Sequence, residues 1–491
     1  MFRGRRQILT SCLPKQMQPK GYSGATLDQN TLPKEISSAI MIHNRNVEDI
    51  RKLRAVFKGD QDILKRGKDG TDRFVNNMVV INYANAFTRQ IVGYTYPDGI
   101  QFVQNDETFL VDVEKINRFM KAEDKNTLDK IMADEQSIFG THFRAILPDA
   151  IMPDETPFEI VNLNPDYTFV AYSSYNTQLP VYGCTFYPIL DGQTITGYVY
   201  QIYTSNMCYT YKSISTYGVQ TQDFVSAKPH ILRSVPIIEY ANNEFRMGDW
   251  EMAVELFNSI NNMASDSLND VTQTVLSYLV LFGVDTPTPE ELADMKKNRT
   301  MTFPGAVGVT QNAKFLTAQL DGSSADLLRT YLENALRVVV GIPDRNSSGG
   351  GDTGAAIDAK NGWREIDTVA RNKTMFTEAA ERKLLRIALQ ILSPKHVSSD
   401  LTVVDVDIKI PRNKSDNLQT KTQAALNMSQ MGMDKADIVE VLDTTTDHEG
   451  QIKRWEAAEK QKQVASVKAT PPDPNKTDPV QPVPVDNSAK Q

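Results

Sequence analysis

The feature that most constrains the fold is a long amphipathic segment that begins at Asp249. Asp249 follows Gly248 and is a favourable N-cap residue, and apolar residues then recur every three or four positions for about 28 residues, which predicts a helix of roughly 42 Å. The apolar face consists of Ala253, Leu256, Phe257, Ile260, Met263, Ala264, Leu268, Val271 and Val275. The second face consists of Asn258, Asn262, Ser265, Asp266, Asn269 and Asp270. This polar, uncharged-to-acidic face predicts packing against copies of the same helix.

The segments that follow this helix predict an insertion and two further helices. The predicted elements are strands at Tyr278–Phe282 and Thr300–Val309, a short helix at Pro289–Lys297, and longer helices at Ala325–Val340 and Ala355–Leu392. Gly341 and Pro343 end the helix before them, since neither residue type continues a helix well. The glycine-rich stretch from Arg345 to Gly354 cannot hold regular structure.

The N-terminal half predicts helices followed by a sheet. Helical periodicity covers 39–65, 76–94 and 108–135, and from Thr141 to Leu232 short alternating runs are separated by turns at Asn164-Pro165-Asp166 and Asp191-Gly192. A strand is predicted at 405–410 and small amphipathic helices at 416–463. The fold class is therefore α+β, with an antiparallel sheet.

Bulk composition excludes several classes of protein. A chain of 491 residues suggests several folding units, and its net charge of −8 argues against a protein that coats DNA. The three cysteines and five histidines have no metal-ligand spacing, so we predict no metal and no cofactor. No apolar run is long enough to span a membrane. The basic N-terminal arm, 1–40, is either a solvated terminus or a nucleic-acid arm.

No segment carries the signature of a catalytic site. The glycine-rich loop precedes a helix, as a phosphate-binding loop does, but it ends Gly351-Asp352-Thr353-Gly354 instead of Gly-Lys-Ser/Thr. There is no nucleophile elbow, so we predict no catalytic residue and no enzyme activity. Four basic residues of the last long helix either face DNA or are ordinary exposed positions: Lys360, Arg364, Arg371 and Lys373. The residues alone predict a soluble, intracellular interaction protein.

The most specific stretch of the sequence lies between Pro236 and Gly283. It contains the runs Pro236-Ile237-Ile238-Glu239-Tyr240-Ala241-Asn242-Asn243-Glu244, Gly248-Asp249-Trp250-Glu251, Ser265-Asp266-Ser267-Leu268-Asn269-Asp270 and Tyr278-Leu279-Val280-Leu281-Phe282-Gly283. These runs resemble the central block of the portal (head-to-tail connector) proteins of tailed bacteriophages of Gram-positive hosts. Further similarity lies in Asn77–Gly93, Asn164-Pro165 with Tyr172, Gly354-Ala355-Ala356-Ile357, Gly432-Met433-Asp434 and Leu442, so that the resemblance covers about residues 40–465.

The resemblance implies a portal fold with a wing of antiparallel sheet and helices, a long-helix stem, a small α/β clip, a tunnel loop and an α-helical crown. The implied boundaries are a flexible basic arm 1–40, wing 41–235, stem helix 236–276, clip 277–322, second stem helix 323–341, tunnel loop 342–356, spine helix and wing strand 357–411, crown 412–466 and disordered tail 467–491. The corresponding function is a dodecameric ring at one capsid vertex, through which double-stranded DNA is packaged and ejected.

Three sets of site residues follow from the resemblance. The tunnel loop would contain Arg345, Asn346, Ser347, Ser348, Gly349, Gly350, Gly351 and Asp352; the stem helix Asp249, Glu255, Asn262, Asp266, Asn269 and Asp270; and the clip Glu290, Glu291, Asp294, Lys296, Lys297 and Arg299. The glycine-rich loop departs from the family pattern, which puts specific contacts from its side chains to DNA in question.

The implied partners are other copies of the chain, the large terminase subunit, the head-tail adaptor, the major capsid and scaffolding proteins, and DNA that passes through without sequence-specific contacts. The implied location is the virion, with assembly in the host cytoplasm. Two alternatives remain open at this stage: a structural capsid or adaptor protein that forms no channel, and a nucleotide-dependent packaging enzyme.

Overall fold

The computed structural model describes residues 27–66, 76–105, 107–149, 155–173, 179–275, 278–282, 288–290, 312–316, 322–343, 363–392, 397–412, 418–442, 451–452, 454–458 and 460. The chain divides into two compact units, 1–414 and 415–491. The helices are α1 (Leu32–Lys58), α2 (Tyr83–Thr95), α3 (Leu110–Ala122), α4 (Lys125–Phe139), α5 (Val254–Val275), α6 (Gly322–Val340), α7 (Trp363–Ile391), α8 (Leu418–Gln430) and α9 (Lys435–Leu442).

Every strand pairing in the described residues is antiparallel, which confirms the α+β prediction. The strands are β1 (Gln101–Gln104), β2 (Thr141–Pro148), β3 (Phe158–Leu163), β4 (Thr168–Tyr172), β5 (Pro180–Asp191), β6 (Thr194–Tyr203), β7 (Met207–Ser213), β8 (Phe224–Pro229), β9 (Ile237–Ala241), β10 (Tyr278–Phe282), β11 (Asn312–Leu316) and β12 (Val406–Lys409). They form sheets in the orders β4-β5-β6-β7-β8 and β3-β2-β9, and the pairs β1-β12 and β10-β11.

The five-stranded sheet packs one face on the first half of α1. Leu32, Ile36 and Ile40 of α1 are buried against aromatic residues of the sheet, including Phe169 and Tyr200. The predicted turns are confirmed: Asn164 accepts the Tyr167 amide proton, and Gly192 joins β5 to β6 at a φ of 61°. Such a positive φ favours glycine because it carries no Cβ.

The three-stranded sheet packs on α3, α4 and α7. Strand β2 lies in its centre, with Ala145 opposite both Val161 and Ile237. Ile146 and Phe158 join Ile116 of α3 and Leu384 of α7 in one apolar cluster. We call these two sheets, with α1–α4 and α7, the sheet body.

A third core joins the sheet body to α5 and α6, which we call the helix pair. Phe257 and Ile260 of α5 and Leu336 of α6 pack with Phe87 of α2 and the fully buried Trp250. Only the ends of α5 and α6 nearest the sheet body contribute to this core, which leaves the remainder of both helices outside it.

Several element boundaries differ from the predictions. Residues 76–82 form neither helix nor strand, and the predicted helix 76–94 begins at Tyr83, because Asn82 caps it by accepting the Asn85 amide proton. The predicted helix 108–135 is two helices, α3 and α4, separated at Asp124, whose φ is 50°. The predicted strand Thr300–Val309 lies outside the described residues.

The C-terminal unit contains α8 and α9, in agreement with the small helices predicted there. Ala425, Leu426, Leu442 and Trp455 line an apolar groove within this unit. Among the described residues of both units, no helix combines the length and apolar character that crossing a membrane requires.

Candidate functional site

The junction between β9 and α5 is held by a dense set of hydrogen bonds. Asn242 donates from Nδ2 to the Met247 carbonyl (2.9 Å) and to Asp249 Oδ1 (2.7 Å), and Asn243 Nδ2 donates to the same carbonyl (2.8 Å). The Trp250 indole N–H donates to Thr88 Oγ1 (2.8 Å). The run that carries the family resemblance is therefore a structural joint that sets the direction in which α5 leaves the sheet body.

Glycine is required at two positions of this joint. A Cβ on Gly140 would lie 2.3 Å from the Met247 carbonyl carbon, and a Cβ on Gly248 would lie 2.4 Å from the Ile138 carbonyl oxygen. Gly140 also has a φ of 73°. The end of α4 and the start of the α5 region thus approach each other more closely than side chains permit.

Asp249 is not the N-cap of α5, and that prediction is wrong. The helix begins at Val254 after a short 3-10 turn, and the Asp249 carboxylate instead accepts hydrogen bonds from Ser137 Oγ (2.7 Å) and Lys373 Nζ (2.9 Å). Both members of the Asp249–Lys373 ion pair are about 95% or more buried. Lys373 was expected either to face DNA or to be exposed, and burial in this pair excludes both for it.

One polar face of α5 packs on segment 76–82 of the same chain. The backbone amides of Asn77, Val79 and Ile81 donate to Asn269 Oδ1 (2.7 Å), Ser265 Oγ (2.9 Å) and Asn261 Oδ1 (2.8 Å), respectively. The spacing matches because two residues of extended chain and four residues of helix both advance by about 6–7 Å.

This ladder of three bonds corrects the expectation that the polar face packs on copies of the helix. Asn261 and Ser265 are fully buried, and Asn269 is partly buried, by residues of the same chain. Nearby, Asn258 Nδ2 donates to Asp62 Oδ2 at 3.4 Å. The polar side chains on this side of α5 satisfy backbone groups and neighbours within one subunit.

A second polar face of α5 remains exposed. Glu255, Asn262 and Asp266 are exposed and Asp270 is half-buried, and their spacing of seven, four and four residues places them on one side of the helix. Arg66 contacts Asp266 through a 2.6 Å ion pair at the surface. Four of the six predicted stem residues thus share a face, whereas Asp249 and Asn269 lie elsewhere.

The outward face of α6 carries three large apolar side chains and the polar Asn334. Leu327, Tyr331 and Val338, spaced by four and seven residues, are 74%, 68% and 81% exposed, whereas Leu336 on the opposite side is 1% exposed. On α5, Leu268 and Val271 continue the apolar stripe beyond the shared core and are also exposed. The helix pair therefore displays an apolar surface for which the described residues provide no cover.

The described part of the predicted clip is a two-stranded hairpin. Strands β10 and β11 pair from Tyr278 opposite Leu316 to Phe282 opposite Asn312. Glu290 is exposed, and the other predicted clip residues, Glu291, Asp294, Lys296, Lys297 and Arg299, lie outside the described residues. The predicted tunnel loop, residues 345–352, also lies outside them.

One cluster of charged side chains in the sheet body is buried and paired. Arg144 Nη1 contacts Asp129 Oδ1 (2.8 Å) and Glu381 Oε1 (3.2 Å), while Lys125 Nζ donates to Asp129 (2.8 Å) and lies 3.2 Å from Glu381 Oε2. Burial alone would raise the pKa of Asp129, but Lys125 and Arg144 outweigh it, and the pKa ends below its usual value. Tyr240 donates its hydroxyl to Glu381 at 2.8 Å.

This arrangement is a structural network rather than a catalytic one. The four charged side chains are almost completely buried and balance one another. Within the described residues, no group of three or more His, Cys, Asp or Glu side chains could hold a metal ion.

The comparison with protein families decides how the molecule is classified. The family model described as "Phage portal protein, SPP1 Gp6-like" matches residues 36–465. The chain belongs to this family. A comparison with curated individual proteins gave no match. Membership assigns the chain to a structural, non-enzymatic class of phage capsid protein, located at the portal vertex and forming a homo-oligomeric ring.

Two features of this portal chain were not found from its sequence. The first is the ladder of hydrogen bonds between segment 76–82 and α5. It involves polar groups only, so apolar periodicity does not predict it. The one hint in the sequence is the four-residue spacing of Asn261, Ser265 and Asn269. The buried role of Lys373 was missed because a lysine on an amphipathic helix is normally exposed.

Proposed function

We propose that the chain forms the dodecameric portal ring of a tailed phage, with a central channel for packaging and ejecting double-stranded DNA. The observation that carries this proposal is the contrast between the two exposed faces of the helix pair. One face, on α5, is polar to acidic, and the other, on α6, is apolar. A ring subunit needs both a lining that does not hold DNA and a surface that binds its neighbour.

The apolar face of α6 supports assembly. Burying a large apolar side chain stabilises an interface by about 1.5–3 kcal/mol, so leaving Leu327, Tyr331 and Val338 in water is costly. Closed rings form when two different surfaces of one subunit meet head to tail. The exposed Leu268 and Val271 of α5 supply a second apolar surface for such a contact.

The acidic face of α5 supports a channel that lets DNA slide. Six to ten contacts between basic side chains and phosphates change affinity by about 10³–10⁵ over ordinary salt concentrations, which would hold the duplex in place. Glu255 and Asp270 carry negative charge like the phosphates, Asp266 is paired with Arg66, and Asn262 is neutral. A lining of this composition repels phosphate weakly and binds no single register of DNA.

The remaining parts of the portal proposal rest on sequence resemblance and the β10-β11 hairpin. The hairpin would belong to a clip, 277–322, that docks the large terminase subunit and the head-tail adaptor. The sheet body would form the wing that meets major capsid and scaffolding proteins, residues 342–356 the tunnel loop, and 412–466 the crown. Assembly would occur in the host cytoplasm, before incorporation into the virion.

The test is assembly of the full chain, measured by native mass spectrometry and negative-stain electron microscopy. We expect the wild-type protein to form rings with a central channel. Val338→Asp should remain folded by circular dichroism, since Val338 is exposed in a single subunit, but should not form rings. Glu255→Gln is the matched control on the other face and should assemble normally.

Three results would contradict the proposal. A wild-type protein that stays monomeric, or that assembles without a channel, would favour a structural adaptor. Rings formed equally well by Val338→Asp would exclude the α6 face as the subunit interface. Nucleotide hydrolysis by the purified protein would favour a packaging enzyme.

A further inference from the structure

We propose that a cleft between α7 and the loop preceding β9 binds an acidic segment of a partner protein, in which a carboxylate side chain lies beside an apolar one. The cleft has a volume of about 260 Å³. Its basic lining residues are Arg233 from the loop and Lys383 and Arg386 from α7. This site is distinct from the helix pair, and the inference does not depend on the proposed channel.

The three basic side chains lack partners within the described part of the chain. Arg233, Lys383 and Arg386 make no ion pair and no side-chain hydrogen bond with any described residue. This contrasts with Lys125, Arg144 and Lys373, which are all paired with carboxylates. All three are exposed, and the concentration of three cations in one cleft of a protein with a net charge of −8 favours a ligand that carries negative charge.

The one carboxylate that lines the cleft, Glu239, is already engaged. Its oxygens accept hydrogen bonds from Arg246 Nε (2.6 Å) and Nη2 (2.9 Å), from the Tyr172 hydroxyl (2.6 Å) and from Thr141 Oγ1 (3.2 Å). The Arg246 guanidinium therefore compensates the charge of Glu239. The positive charge of the other three side chains remains available to a ligand.

The electrostatic environment of Lys383 agrees with a site that binds an anion. Partial desolvation lowers the pKa of Lys383, Glu239 acts in the opposite direction, and the nearby positive charges of Arg246 and Arg386 lower it further. A bound carboxylate would remove this repulsion and favour the charged form of the lysine.

The floor of the cleft selects a polypeptide rather than nucleic acid. Val170, Val235, Ile237 and Ile387 line it and are apolar, and the exposed Leu179 lies at its edge. A cavity of this volume accepts one or two side chains, and it is too small for a DNA duplex to enter. The combination of an apolar floor with a basic rim matches a carboxylate that is adjacent to a leucine-like residue.

The test is binding of two fluorescein-labelled peptides to the full-length assembled protein, measured by fluorescence anisotropy at low salt. The probe is acetyl-Leu-Glu-Asp-Leu-amide, and its matched control is acetyl-Leu-Gln-Asn-Leu-amide. We expect the acidic peptide to bind at least about tenfold more tightly than the control, with affinity that falls as salt is added. The double variant Lys383→Gln/Arg386→Gln should lose at least about tenfold in affinity.

Two further variants keep the test independent of folding. Arg233→Asn removes the third cation at a position with a φ of 50°, a conformation that asparagine tolerates, and it should also weaken binding. Arg382→Gln changes an exposed neighbour on the same helix that does not line the cleft, and it should bind like the wild type. Circular dichroism of each variant checks that the fold is retained.

The proposal would be overturned by equal affinity for the two peptides, or by undiminished binding to the double variant. Binding of a short DNA duplex that depends on Lys383 and Arg386, without peptide binding, would identify a phosphate site instead. Absence of acidic-peptide binding to the assembled wild-type protein would likewise overturn it.

Discussion

The sheet body and the helix pair differ in whether their polar and apolar groups find partners within one subunit. In the sheet body, even fully buried charges such as Arg144 and Glu381 find partners within the same chain. In the helix pair, one face of α5 is satisfied by the segment 76–82, but the outward apolar face of α6 is left in solvent. Because exposed apolar stripes are costly, the difference indicates that the core of the sheet body is complete in one subunit, and it agrees with our proposal that assembly covers the helix pair.

The substitution with the largest expected effect tests whether the stability of the sheet body depends on its buried charge network. Glu381→Gln leaves Arg144 and Lys125 sharing a single carboxylate, Asp129, in a buried site. We expect the free energy of unfolding to fall by about 3–5 kcal/mol, because an uncompensated buried charge remains. Urea denaturation followed by circular dichroism measures this change.

The matched control for Glu381 is a surface pair on the same helix. Arg371 lies 3.9 Å from Asp367 and is exposed, so Arg371→Gln should alter stability by less than about 1 kcal/mol. Equal effects of the two substitutions would show that the buried network contributes no more than a surface ion pair.

The second prediction concerns the pH dependence of the sheet body. Burial lowers the pKa of His43 from 6.5 to about 4, although its Nε2 lies 3.1 Å from the Asp166 carbonyl oxygen. Between pH 6.5 and about 4, His43 is therefore protonated in the unfolded chain but not in the folded chain. The free energy of unfolding should decrease as the pH falls through this range. The full contribution is about 3 kcal/mol.

His43→Gln should remove this component while keeping a polar group beside Asp166. Urea denaturation of wild type and variant at several pH values between 4 and 7 provides the measurement. The wild-type free energy of unfolding should fall more steeply with acid than that of the variant. Parallel pH profiles for the two proteins would show that His43 is protonated equally in both states.

The substitution with the smallest expected effect tests the hydrogen-bond ladder between α5 and segment 76–82. Ser265→Ala removes the acceptor of the Val79 amide, and we expect a loss of about 1 kcal/mol in stability. Hydrogen exchange at Val79 should become faster. Ser259→Ala is the control, because the exposed Ser259 hydroxyl donates only to the Glu255 carbonyl of its own helix. Unchanged exchange at Val79 would mean that the ladder does not hold the segment.

Much of the fold could be predicted from local patterns. Alternation over 141–232 indicated the antiparallel sheet, and apolar periodicity indicated α5, α6 and the last long helix, because burial of one face imposes a repeat on the sequence. An N-cap at Asp249 places the first helical residue at Trp250, four residues before the observed start at Val254, because Asp249 has the residue type of an N-cap but pairs with Lys373. Local propensity was overridden there by a partner more than a hundred residues away.

The amino-acid sequence by itself determined the class of the protein, the order of its elements and its membership of the portal family. Only the tertiary structure decided which polar side chains are internal and which are available to partners. Asn269 and Asp270 are adjacent and similar in residue type, yet Asn269 holds the Asn77 amide whereas Asp270 lies on the acidic face. Likewise, Lys373 is buried in an ion pair and Lys383 lines an open cleft. Periodicity specifies which face a residue occupies, but the element that covers the face is set by long-range packing.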